Sequence, residues 1–110
     1  MVRIVSLHRP PADPASYDDY YRRVHIPIAR RIPGVRKIRF GHVRKMEDGT
    51  SPPFHLVSDV YFDDMPSLES ALESPEMAAA LGDVPNFAAP GAITIMFCDT
   101  EDVEPEVGVT

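Results

Sequence analysis

The chain has 110 residues, of which 44% are hydrophobic and 25% charged, and a net charge of −6 at neutral pH. That length holds one domain around a single core, and that composition excludes both a disordered chain and a fibrous one. A lone cysteine, Cys98, excludes an internal disulfide and any cysteine-based zinc or iron–sulfur centre.

Val2 to His8 is a β-branched run that stops before Pro10-Pro11 and predicts a first strand. Asp13-Pro14 offers a capping carboxylate followed by proline at the first helical position. From there Tyr17, Tyr20, Tyr21, Val24, Ile28 and Ile32 recur at helical spacing, so an amphipathic helix is expected to run to Pro33-Gly34. Val35 to Lys45 alternates, with Ile38, Phe40 and His42 on one face, and predicts a second strand. Asp48-Gly49 and Pro52-Pro53 mark a returning loop. Phe54 to Phe62 reads as a third strand, with Leu56, Val60 and Phe62 on one face and Val57 and Tyr61 on the other. Asp64 caps a helix from Met65 to Glu73, and Ser74-Pro75 restarts a short one to Leu81, closed by Gly82. Asp83 to Pro90 is expected to be an irregular turn, and Ala92 to Cys98 a last, uncharged strand.

The order β-α-β, β-α-β predicts an α+β, ferredoxin-like domain over residues 1–99. Both helices pack on one face of a four-stranded antiparallel sheet, and residues 100–110 form an acidic tail. Because the first and last strands are apolar on both faces, the open face needs a cover, and an identical sheet is the cheapest one; a homodimer is expected. No signal peptide is read in the opening residues. The longest uncharged stretch, Val84 to Cys98, is broken by Pro85, Pro90 and Gly91 and falls short of a membrane span, so the expectation is a cytoplasmic protein without a membrane partner.

All eleven Lys and Arg lie within residues 1–45 beside only three acids, whereas residues 46–110 hold fourteen acids and no Lys or Arg. A nucleic-acid partner is not expected, since the acidic half would repel the phosphates and the third strand carries Asp59 and no base. The two halves are instead expected to attract each other, within a protomer or across a dimer.

His25 is the leading candidate for chemistry. It lies at the rim of the apolar stripe of the first helix, two residues before Pro27, which cannot donate to the Arg23 carbonyl and costs a regular helix interior about 3 kcal/mol. Two readings stand side by side: a kink that aims an imidazole into a cavity for proton transfer, or a partly buried histidine bonded to a backbone carbonyl. His42 shares a face with Ile38 and Phe40, as a second proton-transfer group or a polar tip at the strand's end. His8 and His55, at strand ends near prolines, are expected to be solvated. With no i, i+4 histidine pair, no metal site is expected. Asp59, within an apolar strand, must meet a cation or line a wet cavity, with Arg39 or Arg44 as the expected cation.

Several segments in order carry a family likeness: Tyr17-Asp18-Asp19-Tyr20-Tyr21, His25-Ile26-Pro27, Ile32-Pro33-Gly34, Val60-Tyr61-Phe62-Asp63, Ser74-Pro75-Glu76 and Asp83-Val84-Pro85-Asn86-Phe87. Together, from Val2 to about Cys98, the chain resembles the EthD family. The resemblance implies a dimeric α+β barrel. It also implies one of the family's roles, which include accessory proteins of ether degradation and cofactor-free lyases, cyclases, decarboxylases and isomerases of small ring compounds. It carries the family's helix histidine onto His25, its aromatic neighbours onto Tyr17 and Tyr21, and its late acid and aromatic onto Asp83 and Phe87. The expected function is therefore acid–base chemistry without a cofactor on a small apolar ring or carbonyl compound, with His25 as the catalytic group. Tyr17, Tyr21, His42, Asp83 and Phe87 are expected to contact substrate. The alternative is a non-catalytic ligand-binding or accessory protein with the same pocket.

Overall fold

The computed structural model describes residues 1–108; positions 109 and 110, the end of the expected acidic tail, lie outside the described residues. Four strands, β1 (Val2–His8), β2 (Lys37–His42), β3 (Leu56–Phe62) and β4 (Ile93–Asp99), form one sheet in the order β2-β3-β1-β4, with every neighbouring pair antiparallel. The register sets Ile4 opposite Val60 on one side and Phe97 on the other, so even-numbered residues of β1 and β3 share a face. That face meets both helical layers in one core: Val2, Ile4 and Phe62 pack with Ala29 and Ile32 from the first layer and with Leu68, Ala71, Met77 and Ala80 from the second. This is the ferredoxin-like α+β architecture. Two strands are shorter than expected: the edge strand β2 spans Lys37–His42 rather than Val35–Lys45, and the interior strand β3 begins at Leu56 rather than Phe54. Prolines at 52 and 53 keep the chain from joining the ladder any earlier.

Helix starts follow the sequence signals. Asp13 accepts from the Ser16 amide at 3.2 Å, Asp64 from Ser67 at 2.9 Å and Ser74 from Met77 at 3.1 Å, each with proline in the first turn that follows. These open α1 (Pro14–Tyr20), α3 (Met65–Leu72) and α4 (Pro75–Asp83). The first helical layer is not one regular helix. After α1 a π-turn spans Tyr21–His25, where the Ile26 amide reaches the Tyr21 carbonyl five residues back, before α2 (Ile26–Ala29). The wider turn sits where Pro27 lacks a donor and is the local adjustment that accommodates it. Beyond Ala29 the amides of Arg31 and Ile32 bond three residues back, so the helix unwinds before Pro33. Gly34 then turns the chain with φ +82°, and its Cα lies beneath the Phe62 ring, where a Cβ would stand 3.6 Å from it.

Two expectations are corrected here. Gly82 does not close α4; the helix continues to Asp83 and passes into a short 3₁₀ turn at Val84–Asn86, because Asp83 is buried and held by three side chains described below. The cation beside Asp59 is neither Arg39 nor Arg44 but Arg3, at 3.4 Å, which reaches across from the central strand β1, whereas Arg39 is exposed on the edge strand. With Arg36–Asp63 at 2.6 Å, this pair joins the basic and acidic halves of the sequence within one protomer. No helix among the described residues is long and apolar enough to cross a membrane.

Candidate active site

The π-turn sets the site. It places Tyr21 and His25 in register along the face turned to the sheet, with rings stacked at 5.3 Å and an interplanar angle of 26°. Tyr21 is buried, its edge contacting Phe40 of β2 at 5.2 Å, and His25 is partly covered. Asp83 arrives at the end of α4, and its carboxylate gathers three donors: His25 Nδ1 to Oδ2 at 2.9 Å, Tyr20 Oη to Oδ1 at 2.6 Å and Asn86 Nδ2 to Oδ1 at 3.0 Å. Burial alone would raise the Asp83 pKa; the bonds from Tyr20, Asn86 and His25 outweigh it and hold the carboxyl below its usual range. An ionised Asp83 only accepts, so the His25 proton lies on Nδ1 and Nε2 is the free basic nitrogen. Phe87 closes the cluster, with its ring centroid 4.9 Å from His25, 5.3 Å from Tyr17 and 5.5 Å from Tyr20.

The cluster borders a cavity of about 80 Å³ between helices and sheet, walled by Ile4, His8, Tyr21, His25, Ser58 and Met77 among others. Its rim includes Leu81 and Ile95, both about half exposed, and it shares Leu81, Val84, Ile93 and Ile95 with an outer apolar groove of about 430 Å³.

The structure brings five of the six expected residues, Tyr17, Tyr21, His25, Asp83 and Phe87, into one cluster. Tyr17 and Phe87 are not in the wall of the inner cavity but in an adjoining cleft. His42 is not part of the cluster: at the end of β2 it faces Asp18 and His55. His8 and His55 are not solvated as expected. His8 is 2% exposed, at the point where β1 runs beneath the first helix, and its Nδ1 lies 2.6 Å from the Tyr17 hydroxyl. His55 Nε2 bonds Asp18 Oδ1 at 2.8 Å. Strand-end position and nearby prolines misled because the helix crosses above both. Tyr20, which belongs to the tyrosine constellation of the first helix but is not among the expected site residues, is a donor to Asp83; its helical spacing with the other tyrosines gives no sign of this.

Burial, aided by the neighbouring imidazoles of His25 and His55, lowers the His8 pKa to about 4. Burial likewise raises the pKa of Tyr17 and Tyr21, so both phenols stay protonated. His8 Nε2 is buried without a hydrogen-bond partner in the protein, and His8 is therefore a neutral imidazole with one unused nitrogen beside the cavity. The unfolded chain binds the His8 proton near pH 6.5 and the folded one only near 4, so stability from this residue is complete above pH 6.5 and is lost as pH falls toward 4. The loss expected between pH 7 and pH 5 is about 2 kcal/mol. Urea denaturation at the two pH values, compared between the native chain and His8→Gln, measures it; an equal pH dependence in both would contradict it.

A model of the EthD domain matches residues 9–91, a segment that contains every residue of the cluster except His8. The chain belongs to the EthD family. Among EthD relatives, an uncharacterized 11.0 kDa protein in the thcB-thcC intergenic region of Rhodococcus erythropolis is 35% identical over 105 residues, which cover 96% of this chain and all of that one. The crystal structure of an EthD family protein from Bacillus halodurans C-125 superposes with a TM-score of 0.84 at 31% identity, over 92% of this chain and 99% of that one. A dimeric ferredoxin-like protein of unknown function from Jannaschia sp. CCS1 shares the fold at 17% identity, with a TM-score of 0.66 over 90% and 98% of the two chains.

Proposed function

We propose that this EthD protein is a cofactor-independent enzyme of the lyase, cyclase or isomerase type, acting by proton transfer on a small apolar ring or carbonyl compound. The observation that carries the reading is His25 in the wall of an apolar cavity with Asp83 bonded behind it. An ionised carboxylate on Nδ1 fixes the tautomer and stabilises the imidazolium that forms when Nε2 accepts a proton. His25 takes a proton from a carbon beside the substrate carbonyl, and the imidazolium returns it to a different atom as the double bond shifts or the ring closes. With the protonated Tyr17 phenol as hydrogen-bond donor to His8 Nδ1, the neutral His8 carries its own proton on Nε2, free to hydrogen-bond the substrate oxygen as negative charge develops there. The inner cavity is smaller than the roughly 300–1,000 Å³ of typical ligand sites, so the reacting carbon enters it while the rest of the ring lies in the outer groove.

The sheet face without helices needs a cover, and a homodimer supplies one. Along β4, Ile95, Met96 and Phe97 are each 40–50% exposed on alternating faces, and the Jannaschia neighbour is described as dimeric. Sedimentation velocity at micromolar concentration is expected to give twice the mass of a single chain, and Met96→Glu, which charges the face without helices, to shift it to monomer. A monomeric native chain would reject the dimer. The function itself is tested by incubating the protein with a panel of aromatic polyketides and lactones. Product formation supports the enzyme; thermal stabilisation with no product supports the non-catalytic binder and overturns the enzyme.

A further inference from the structure

A second cluster of proton-binding and metal-binding groups lies outside the cavity. Asp18 of α1 projects toward the end of the β2–β3 pair, where His42 is the last residue of β2 and His55 immediately precedes β3, the two segments joined by the Val43 amide to the His55 carbonyl at 3.1 Å. The two imidazoles divide the carboxylate between them: His55 Nε2 is 2.8 Å from Oδ1 and His42 Nε2 is 3.0 Å from Oδ2. The His55 contact is a hydrogen bond. The His42 contact is close but out of line for one, so His42 Nε2 is buried with its hydrogen-bonding capacity unused. The rings are 4.8 Å apart, and the donor atoms of all three residues lie within 4.8 Å of one another.

We propose that Asp18, His42 and His55 form a binding site for a divalent first-row transition metal ion. Two imidazoles and one carboxylate are the donor set that suits zinc and iron(II). An ion about 2.1 Å from each donor sets neighbouring donors about 3.0 Å apart in octahedral geometry and about 3.4 Å apart in tetrahedral geometry; each histidine nitrogen lies 2.8–3.0 Å from one of the two carboxylate oxygens, and with all donor atoms within 4.8 Å of one another, side-chain rotation is what brings the remaining separation into that range. The ligands stand on α1, on the last residue of β2 and on the residue before β3, where His55 is held by backbone bonds to Val43 and His8 at 3.1 and 2.7 Å. All three are partly open to solvent, with side-chain exposures of 18–30%, so the ion keeps at least one position for water or an exchangeable small oxygen ligand. The competing account is a purely structural contact in which Asp18 ties the helix to the sheet edge. Neither it nor the metal site depends on His25, and none of the three ligands is in the wall of the inner cavity.

Chelator-treated full-length protein titrated with Co²⁺ and followed by visible absorption, and with Zn²⁺ followed by calorimetry, decides between them. The expected result is one ion per protomer, bound with d–d bands for Co²⁺, and a Zn²⁺-dependent rise in Tm. His42→Gln and His55→Gln are each expected to weaken binding by more than the ~10–100-fold that accompanies loss of an outer-shell partner, while Cys98→Ser, which removes the lone thiol, leaves it unchanged. Circular dichroism confirms that each variant is folded, and His42→Gln, at the more exposed of the two imidazoles, is the safer test. Absence of binding in the native chain, or binding that survives both histidine substitutions, would overturn the site.

Discussion

Replacement of His25 by glutamine is expected to lower kcat about 10²–10⁴-fold on whichever panel compound the native protein converts, with KM little changed. Glutamine approximates the size of the imidazole and keeps an amide N–H that can reach Asp83 Oδ2, so the packing of Tyr21 and Phe87 around the position is preserved. It cannot take up a proton. The loss therefore reads proton transfer rather than collapse of the pocket. Asp83→Asn completes the test: it keeps the shape but removes the charge that fixes the His25 tautomer, so kcat falls and the pH profile shifts, whereas a purely structural role would leave the profile of the residual activity in place. Steady-state kinetics with native-like circular dichroism for both variants is the measurement. An unchanged kcat in His25→Gln would remove the histidine from the mechanism.

The second large effect is on stability. Phe62 is fully buried at the end of β3, against Gly34 and both helical layers. Its truncation to alanine leaves a cavity that the surrounding strands and helices cannot collapse to fill, at a cost of about 3–5 kcal/mol. Against a total of roughly 5–15 kcal/mol for a domain of this kind, that is a large share. Urea denaturation at pH 7 is expected to show the midpoint lowered with an unchanged m-value, and Tm reduced by about 12 °C or more. A loss under about 1 kcal/mol would mean that the core is not built around this ring.

Much of the architecture was legible because it is written in local patterns. The caps at Asp13, Asp64 and Ser74, the alternation of β3 and the order of elements are short-range features, and each predicted element occurs in the structure within a few residues. Where the boundaries moved, a distant contact was responsible. Gly82 has the sequence character of a helix stop, yet α4 runs through it because Asp83, the next residue, is fixed by Tyr20 and His25 from the other end of the chain. The π-turn followed the same logic in part: Pro27 announced a defect, but nothing local specified that it would be absorbed by widening the turn at Tyr21–His25.

The site divided in the same way. His25, Tyr21, Asp83 and Phe87 were named from residue type, helical position and family likeness, and they meet around one carboxylate. His42 shares a face with Phe40, which touches Tyr21, but strand alternation gives a face and not a distance along it, and His42 is the last residue of the six-residue β2. The pairing of His8 with Tyr17, and of His42 and His55 with Asp18, has no local sequence signature, since each joins side chains of different elements whose spacing in sequence is not fixed. By itself, then, the amino-acid order settled the α+β class, the helix starts, the apolar strands and the residue types available for proton transfer, because backbone propensity and periodicity act over a few residues. Which histidines are buried, which carboxylate each one meets and where the cavity opens were decided only by the packing of helices across the sheet, because burial and ion pairing depend on distances in space that no local pattern encodes.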